Sequence, residues 1–251
     1  MLLLVGLGGW WLFGLAAVGA VLALHEYAGL VRPLRPLVLA AYVGVLAMLA
    51  AATVGGVTWL LGAILLTLAA TFVLHMLAET RPPPTVAIGS TVLGAVWIGL
   101  GLSHVLLLRG LPERGMLAVF TVLLAVWASD TLAFFAGRLV GRHKLAPVMS
   151  PGKTWEGFAA GTVAALAVAF FALYEDRETF LSVWQALALG AVIALSGVLG
   201  DLFESALKRE MHVKDTGRLL AAHGGVLDRI DSLLLAAPAA FYAILAFGHG
   251  P

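Results

Sequence analysis

The chain contains no cysteine. That excludes disulfides, thiolate metal sites and cysteine nucleophiles, and it leaves the compartment unspecified. Charge is scarce as well. Only 12% of the 251 residues are Asp, Glu, Lys or Arg, about half the share of a soluble domain. The net charge is +1, so no global field points to nucleic acid. No soluble domain, low-complexity tract or clear internal repeat is visible. Met1 leads straight into apolar residues with no basic stretch before them, so this start is expected to be scaffold rather than a cleaved signal.

What is abundant is apolar. Hydrophobic residues make up 61% of the chain and mean hydropathy is +1.01. Several apolar runs approach the roughly 20 residues that cross a bilayer as a helix. The expected fold class is an all-α, polytopic integral membrane protein of about eight transmembrane helices, over roughly residues 9–31, 36–54, 57–77, 85–108, 116–139, 155–174, 180–203 and 226–247. Residues 1–8 are too short to span and read as a partial helix or an extension of the first. The whole of 1–251 reads as one membrane domain. Its scaffold helices lie over roughly 1–115, and a catalytic half over roughly 116–251 carries polar loops near 138–155 and 204–228.

Short cytoplasmic loops collect Lys and Arg. Arg32, Arg35, Arg81, Arg138, Arg142, Lys144, Lys153, Lys208, Arg209, Lys214, Arg218 and Arg229 fall in or beside one alternating set of loops, and only Arg109, Arg114 and Arg177 in the other. The expectation is a multi-pass protein of the cell inner membrane with both polar loops facing the cytoplasm.

Within the helices, His75 and His104 read as structural histidines. Trp10 and Trp11 read as interfacial anchors. Glu26 has two readings, a carboxylate snorkelling to the headgroups or a buried functional group, and the first is preferred. Asp130, in the apolar helix 116–139, is expected to pair or to function, because an unpaired charge there is costly. The loop sequence SPGKTWEG, residues 150–157, combines turn chemistry at Ser150-Pro151-Gly152 with a helix start at Thr154 and Glu156 in the first turn. It reads as a capped basic loop, or as an anion site in which Ser150, Lys153 and helix N–H groups meet a phosphate. It lacks the glycine spacing of a Walker loop.

The densest chemistry lies between Ser205 and Asp231. Glu210, His212, Asp215, His223, Asp228 and Asp231 are there, with Lys208, Arg209, Lys214, Arg218 and Arg229, and Asp201 and Glu204 lie just upstream. Asp201, Ser205 and Lys208 share a helix face at i, i+4, i+7, and Asp228 and Asp231 share one at i, i+3. Carboxylates without soft ligands suit a hard cation such as Mg²⁺, which takes one or two carboxylates and leaves positions for phosphates. The basic residues would neutralise those phosphates. Charge gathered in one place in a membrane protein marks chemistry.

At these residues the chain resembles the phosphatidate cytidylyltransferase (CDP-diacylglycerol synthase) family. The family pattern is S-x-x-K-R, four residues, K-D, then H-G-G, then D-R-x-D. It matches Ser205, Lys208 and Arg209; Lys214 and Asp215; His223, Gly224 and Gly225; and Asp228, Arg229 and Asp231. SPGKTWEG, Ser129-Asp130 and Gly200-Asp201 look like the family too. Ala221 departs from its usual Pro or Gly, and the N-terminus looks short by a helix.

The resemblance implies a nucleotidyltransferase that moves a cytidylyl group from CTP to phosphatidate for phospholipid biosynthesis, with Mg²⁺. It implies catalytic roles for Lys208, Asp215, His223, Asp228 and Asp231. Substrate binding would fall to Ser150, Lys153, Ser205, Arg209, Lys214 and Arg229, and metal binding to Asp201, Asp228 and Asp231. A monovalent cation such as K⁺ beside Mg²⁺ and a homodimer are left open. The competing readings are a polyprenol or dolichol kinase-like enzyme that uses CTP, and an ion-coupled transporter. The transporter reading would want charges spread over helix midpoints and a repeat.

Overall fold

A computed structural model describes residues 2–78, 83–213, 216–217 and 224–248 of the chain. Its described residues are almost entirely helical. In chain order they form α1 (Leu2–Leu7), α2 (Gly9–Leu30), α3 (Val38–Leu77), α4 (Pro84–Arg109), α5 (Gly115–Leu139), the strands β1 (Lys144–Ala146) and β2 (Ser150–Thr154), then α6 (Trp155–Leu173), α7 (Val183–Glu210) and α8 (Leu227–Ala246). Seven of the helices are long and apolar enough to cross a membrane. The protein is an all-α, multi-pass membrane protein.

Two expected spans, 36–54 and 57–77, form the single element α3. The element is broken at Gly56, whose φ of 64° and ψ of −155° leave the helical region. Glycine is needed there, because a side chain strains this conformation. The break folds the element back on itself. A Cβ on Gly44 would run into the Thr67 side chain, whereas a continuous helix would put residues 44 and 67 about 34 Å apart. The two expected spans are therefore the two arms of one helical hairpin. Residues 2–7 form a separate short helix, ended by Gly8 at φ 67°.

The chain divides into two compact units. The first comprises Met1–Leu107 and Glu210–Ile230. Here α2 and α4 meet at Tyr27, which is buried and donates its hydroxyl to the Ser90 carbonyl at 2.7 Å. A Cβ on Gly94 would overlap the Tyr27 ring, so a side chain at position 94 would push the helices apart. His75 and His104 are both buried, and the His104 Nδ1–H donates to the Leu100 carbonyl at 2.7 Å, as befits a structural histidine.

The second unit comprises Leu108–Arg209 and Asp231–Pro251. Small residues set its helix spacing. Gly157 and Gly161 of α6 lie against the backbone of α5 at Ala133 and Ser129, Gly190 of α7 lies against Ala165 of α6, and Gly200 of α7 lies against Asp231 and Ser232 of α8. Thr154 caps α6, accepting from the Gly157 N–H at 3.1 Å, as its position before the helix start predicts.

Two expectations change. Ser150-Pro151-Gly152 is not a turn but part of β2, and the turn falls at 147–149. Glu156 accounts for the hairpin's closure. It accepts from the Arg142 and His143 N–H groups and pairs with His143 Nδ1 at 2.6 Å. The second polar loop also begins later than expected. α7 continues to Glu210, so Asp201, Glu204, Ser205, Lys208 and Arg209 are helical.

Candidate active site

In the second unit, Asp201 follows Gly200 on α7, whose lack of a side chain lets α7 lie against the α8 backbone at Asp231 and Ser232. Its Oδ2 holds the Lys153 Nζ at 2.6 Å, both side chains being partly buried. Its Oδ1 accepts from the Ser205 hydroxyl at 3.3 Å, one helical turn on, as the i, i+4 spacing predicts. Lys153 reaches this point because β2 delivers it from the capped start of α6. An ammonium has three donors, so one held by a carboxylate can still bind a phosphate.

Asp130 on α5 and Asp231 on α8 lie close enough to Asp201 for the three charges to interact. Asp130 accepts a hydrogen bond from the Ser232 hydroxyl. Asp231 is 8% exposed, and its Oδ1 accepts the Ser232 N–H at 2.6 Å.

Glu204, 1% exposed, lies against the Asp231 carboxyl and holds the Lys208 Nζ at 3.0 Å. Lys208 thus pairs with Glu204, a residue to which no role was assigned from sequence, while Lys153 is the cation at Asp201. Arg209 donates from Nε to the Met149 carbonyl at 3.2 Å, tying the end of α7 to the hairpin turn. Ser150 is half-buried on β2, opposite Ala146.

In the first unit, Asp228 stands in the first turn of α8, where a carboxylate suits the positive end of the helix dipole. Its Oδ2 accepts the Gly225 N–H at 2.7 Å and the Thr216 N–H at 3.4 Å. Arg229 beside it is exposed. Glu26 does not snorkel. It is 4% exposed, and its Oε2 accepts the Leu227 N–H at 2.8 Å. The signal missed in the sequence was that a helix N-terminus rich in glycine would offer this carboxylate N–H donors. Lys214, Asp215 and His223 lie outside the described residues.

Among the described residues no group of three or more His, Asp or Glu is arranged to hold a metal ion. The donor chemistry at Asp201 and Asp231 is nonetheless that of a hard oxygen site. Mg²⁺ typically takes only one or two carboxylates from protein, so this pair fits its needs.

Long apolar helices that bring carboxylates and lysines together define a multi-pass membrane protein with a charged site. The chain belongs to the cytidylyltransferase family, whose model matches residues 1–247. It is similar to the phosphatidate cytidylyltransferase of Bacillus subtilis, 38% identical over 161 residues, which are 64% of this chain and 59% of the relative. The Haemophilus influenzae protein of that name is 44% identical over 130 residues, 51% of this chain and 45% of the relative. That of Staphylococcus haemolyticus is 39% identical over 147 residues, 59% and 55%. The chain thus spans about half the length of the curated relatives it matches.

Proposed function

We propose that this protein transfers a cytidylyl group from CTP to phosphatidate, giving CDP-diacylglycerol and pyrophosphate. Family membership supports this. The observation that carries it is the pairing of Lys153 with Asp201 and of Lys208 with Glu204. Each pair sets an ammonium that could bind a phosphate beside a hard carboxylate of α7, Lys153 reaching it from β2 and Lys208 from α7 itself. In the reaction an oxygen of the lipid phosphate attacks the α-phosphorus of CTP, and the bond from that phosphorus to the β-phosphate bridging oxygen breaks. The nucleophile is already anionic near neutral pH, so the protein need only align the groups and neutralise charge.

Lys153, Lys208 and Arg209 would bind the phosphates, with Ser150 and Ser205 supporting them. Lys208 would act on the charge that shifts to the departing pyrophosphate. Asp201 and Asp231 would hold Mg²⁺, which when bound supplies charge neutralisation at the phosphate oxygens. The spacing of the sequence pattern adds Asp228 to the metal ligands, Lys214 and Arg229 to the phosphate groups, and Asp215 and His223 as orienting residues. The imbalance of basic residues between the two sets of loops supports a reaction at the cytoplasmic face of the inner membrane.

The test is purified protein given CTP with phosphatidate or with a polyprenol, the lipid product being identified by mass. CDP-diacylglycerol from phosphatidate alone is the expected result. A phosphorylated polyprenol would establish the kinase reading instead, and no lipid product from either acceptor would contradict the proposal.

A further inference from the structure

Glu26 is buried in an apolar helix at a cost. Among the described residues its Oε1 has no hydrogen-bond partner and neither oxygen has an ion-pair partner. A carboxylate so placed destabilises the fold relative to an apolar side chain, so stability alone does not explain it. Its surroundings do. A Cβ on Gly217 would come within 2.6 Å of Oε1, and one on Gly225 within 2.5 Å of Oε2. The carboxylate is wedged between two glycine backbones and holds the first N–H of α8, that of Leu227, 201 positions away. The Gly225 N–H, and the N–H of Thr216 next to Gly217, both donate to Asp228.

We infer that Glu26 is a positioning residue for Asp228. It fixes from outside the same backbone whose N–H groups grip the Asp228 carboxylate from inside. Glu26 touches no reacting group. It acts through Leu227 and the two glycines, and the inference rests on the proposed cytidylyl transfer only for the consequence at Asp228.

The experiment uses the full-length protein in lipid nanodiscs and compares Glu26→Gln, Glu26→Ala, Gly217→Ala and the Glu26→Ala/Gly217→Ala double variant. Two readouts are taken: steady-state turnover of CTP and phosphatidate, and hydrogen exchange of the peptide spanning 224–230. Glu26→Ala should lower kcat by roughly 10- to 100-fold, the scale of an ångström's misplacement, with KM for CTP within about threefold of the parent. It should also speed exchange at the Leu227 amide.

Glu26→Gln keeps an oxygen acceptor for that N–H and should recover most of the loss. Gly217→Ala should be harmful alone, because its methyl meets the Glu26 carboxylate, yet nearly silent in the Glu26→Ala background. Unchanged kcat and exchange in Glu26→Ala would overturn the inference. So would additive effects of the two substitutions, or a Glu26→Gln enzyme as slow as Glu26→Ala, since the last would mean the charge itself takes part. If the parent protein turns over neither substrate, the proposed function fails, while the exchange readout still decides whether Glu26 anchors α8.

Discussion

At the scale of single residues, the cations are held by partners that spacing alone does not reveal. Lys208 is expected from sequence to act on a phosphate, and the structure adds that its ammonium pairs with Glu204, which is 1% exposed. Lys208→Ala should therefore do two things. It should cost about 3 kcal/mol, the scale for stripping the partner from a buried charge, and it should lower kcat more than it raises KM for CTP. A Glu204→Gln/Lys208→Met double variant should regain most of the stability and none of the activity. Thermal unfolding and steady-state kinetics on the same preparations check both, and a fully stable Lys208→Ala protein would contradict the buried pair.

Gly200 makes a second residue-scale case. Any side chain there meets the Asp231 carbonyl, so Gly200→Ala should cost about 1–3 kcal/mol, as overpacking does. It should also slow turnover by separating Asp201 from Asp231. Normal turnover in that variant would show that the close crossing of α7 and α8 is not needed.

At the scale of elements, the helices were legible because long apolar runs have few alternatives in a bilayer. The hairpin was not. Lys144–Ala146 and Ser150–Thr154 lack alternating apolar residues, and the second contains Pro and Gly, which argue against a strand. What closes it is Glu156, outside both strands. The end of α7 at Glu210 was legible in part, because hydropathy falls at Asp201 while the shared face of Asp201, Ser205 and Lys208 still reads as helix. Thr154, by contrast, was read correctly as a cap from its place before an apolar run. The break in α3 is testable at this scale. Gly56→Ala forces a side chain into a left-handed conformation, and should lower stability by about 1–2 kcal/mol. Unaltered thermal stability would show that the hairpin tolerates a side chain at its turn.

At the scale of the whole molecule, twelve basic residues against three mark the two sets of loops, and the absence of cysteine makes the orientation measurable. A single cysteine replacing Val148, which is 87% exposed in the hairpin turn, should react with an impermeant thiol reagent only from the cytoplasmic side. One replacing Asp176, which pairs with Arg114 at 2.8 Å, should react only from the other. Labelling of both from one side would overturn the orientation. The charged cluster proposed as the site was legible at this scale because charge is rare in the chain. The sequence could not reveal the partners of Asp201 and Asp228, which are set by helix crossings and backbone donors far away in sequence.

The central claim is that the α-phosphate of CTP, with its nucleoside, moves to a lipid phosphate. The most direct measurement follows separate labels on the α- and γ-phosphates of CTP with phosphatidate as acceptor. The α-label is expected in CDP-diacylglycerol and the γ-label in pyrophosphate, with neither transferred by an Asp201→Asn protein that folds normally. The γ-label in the lipid, or an Asp201→Asn protein as active as the parent, would contradict it.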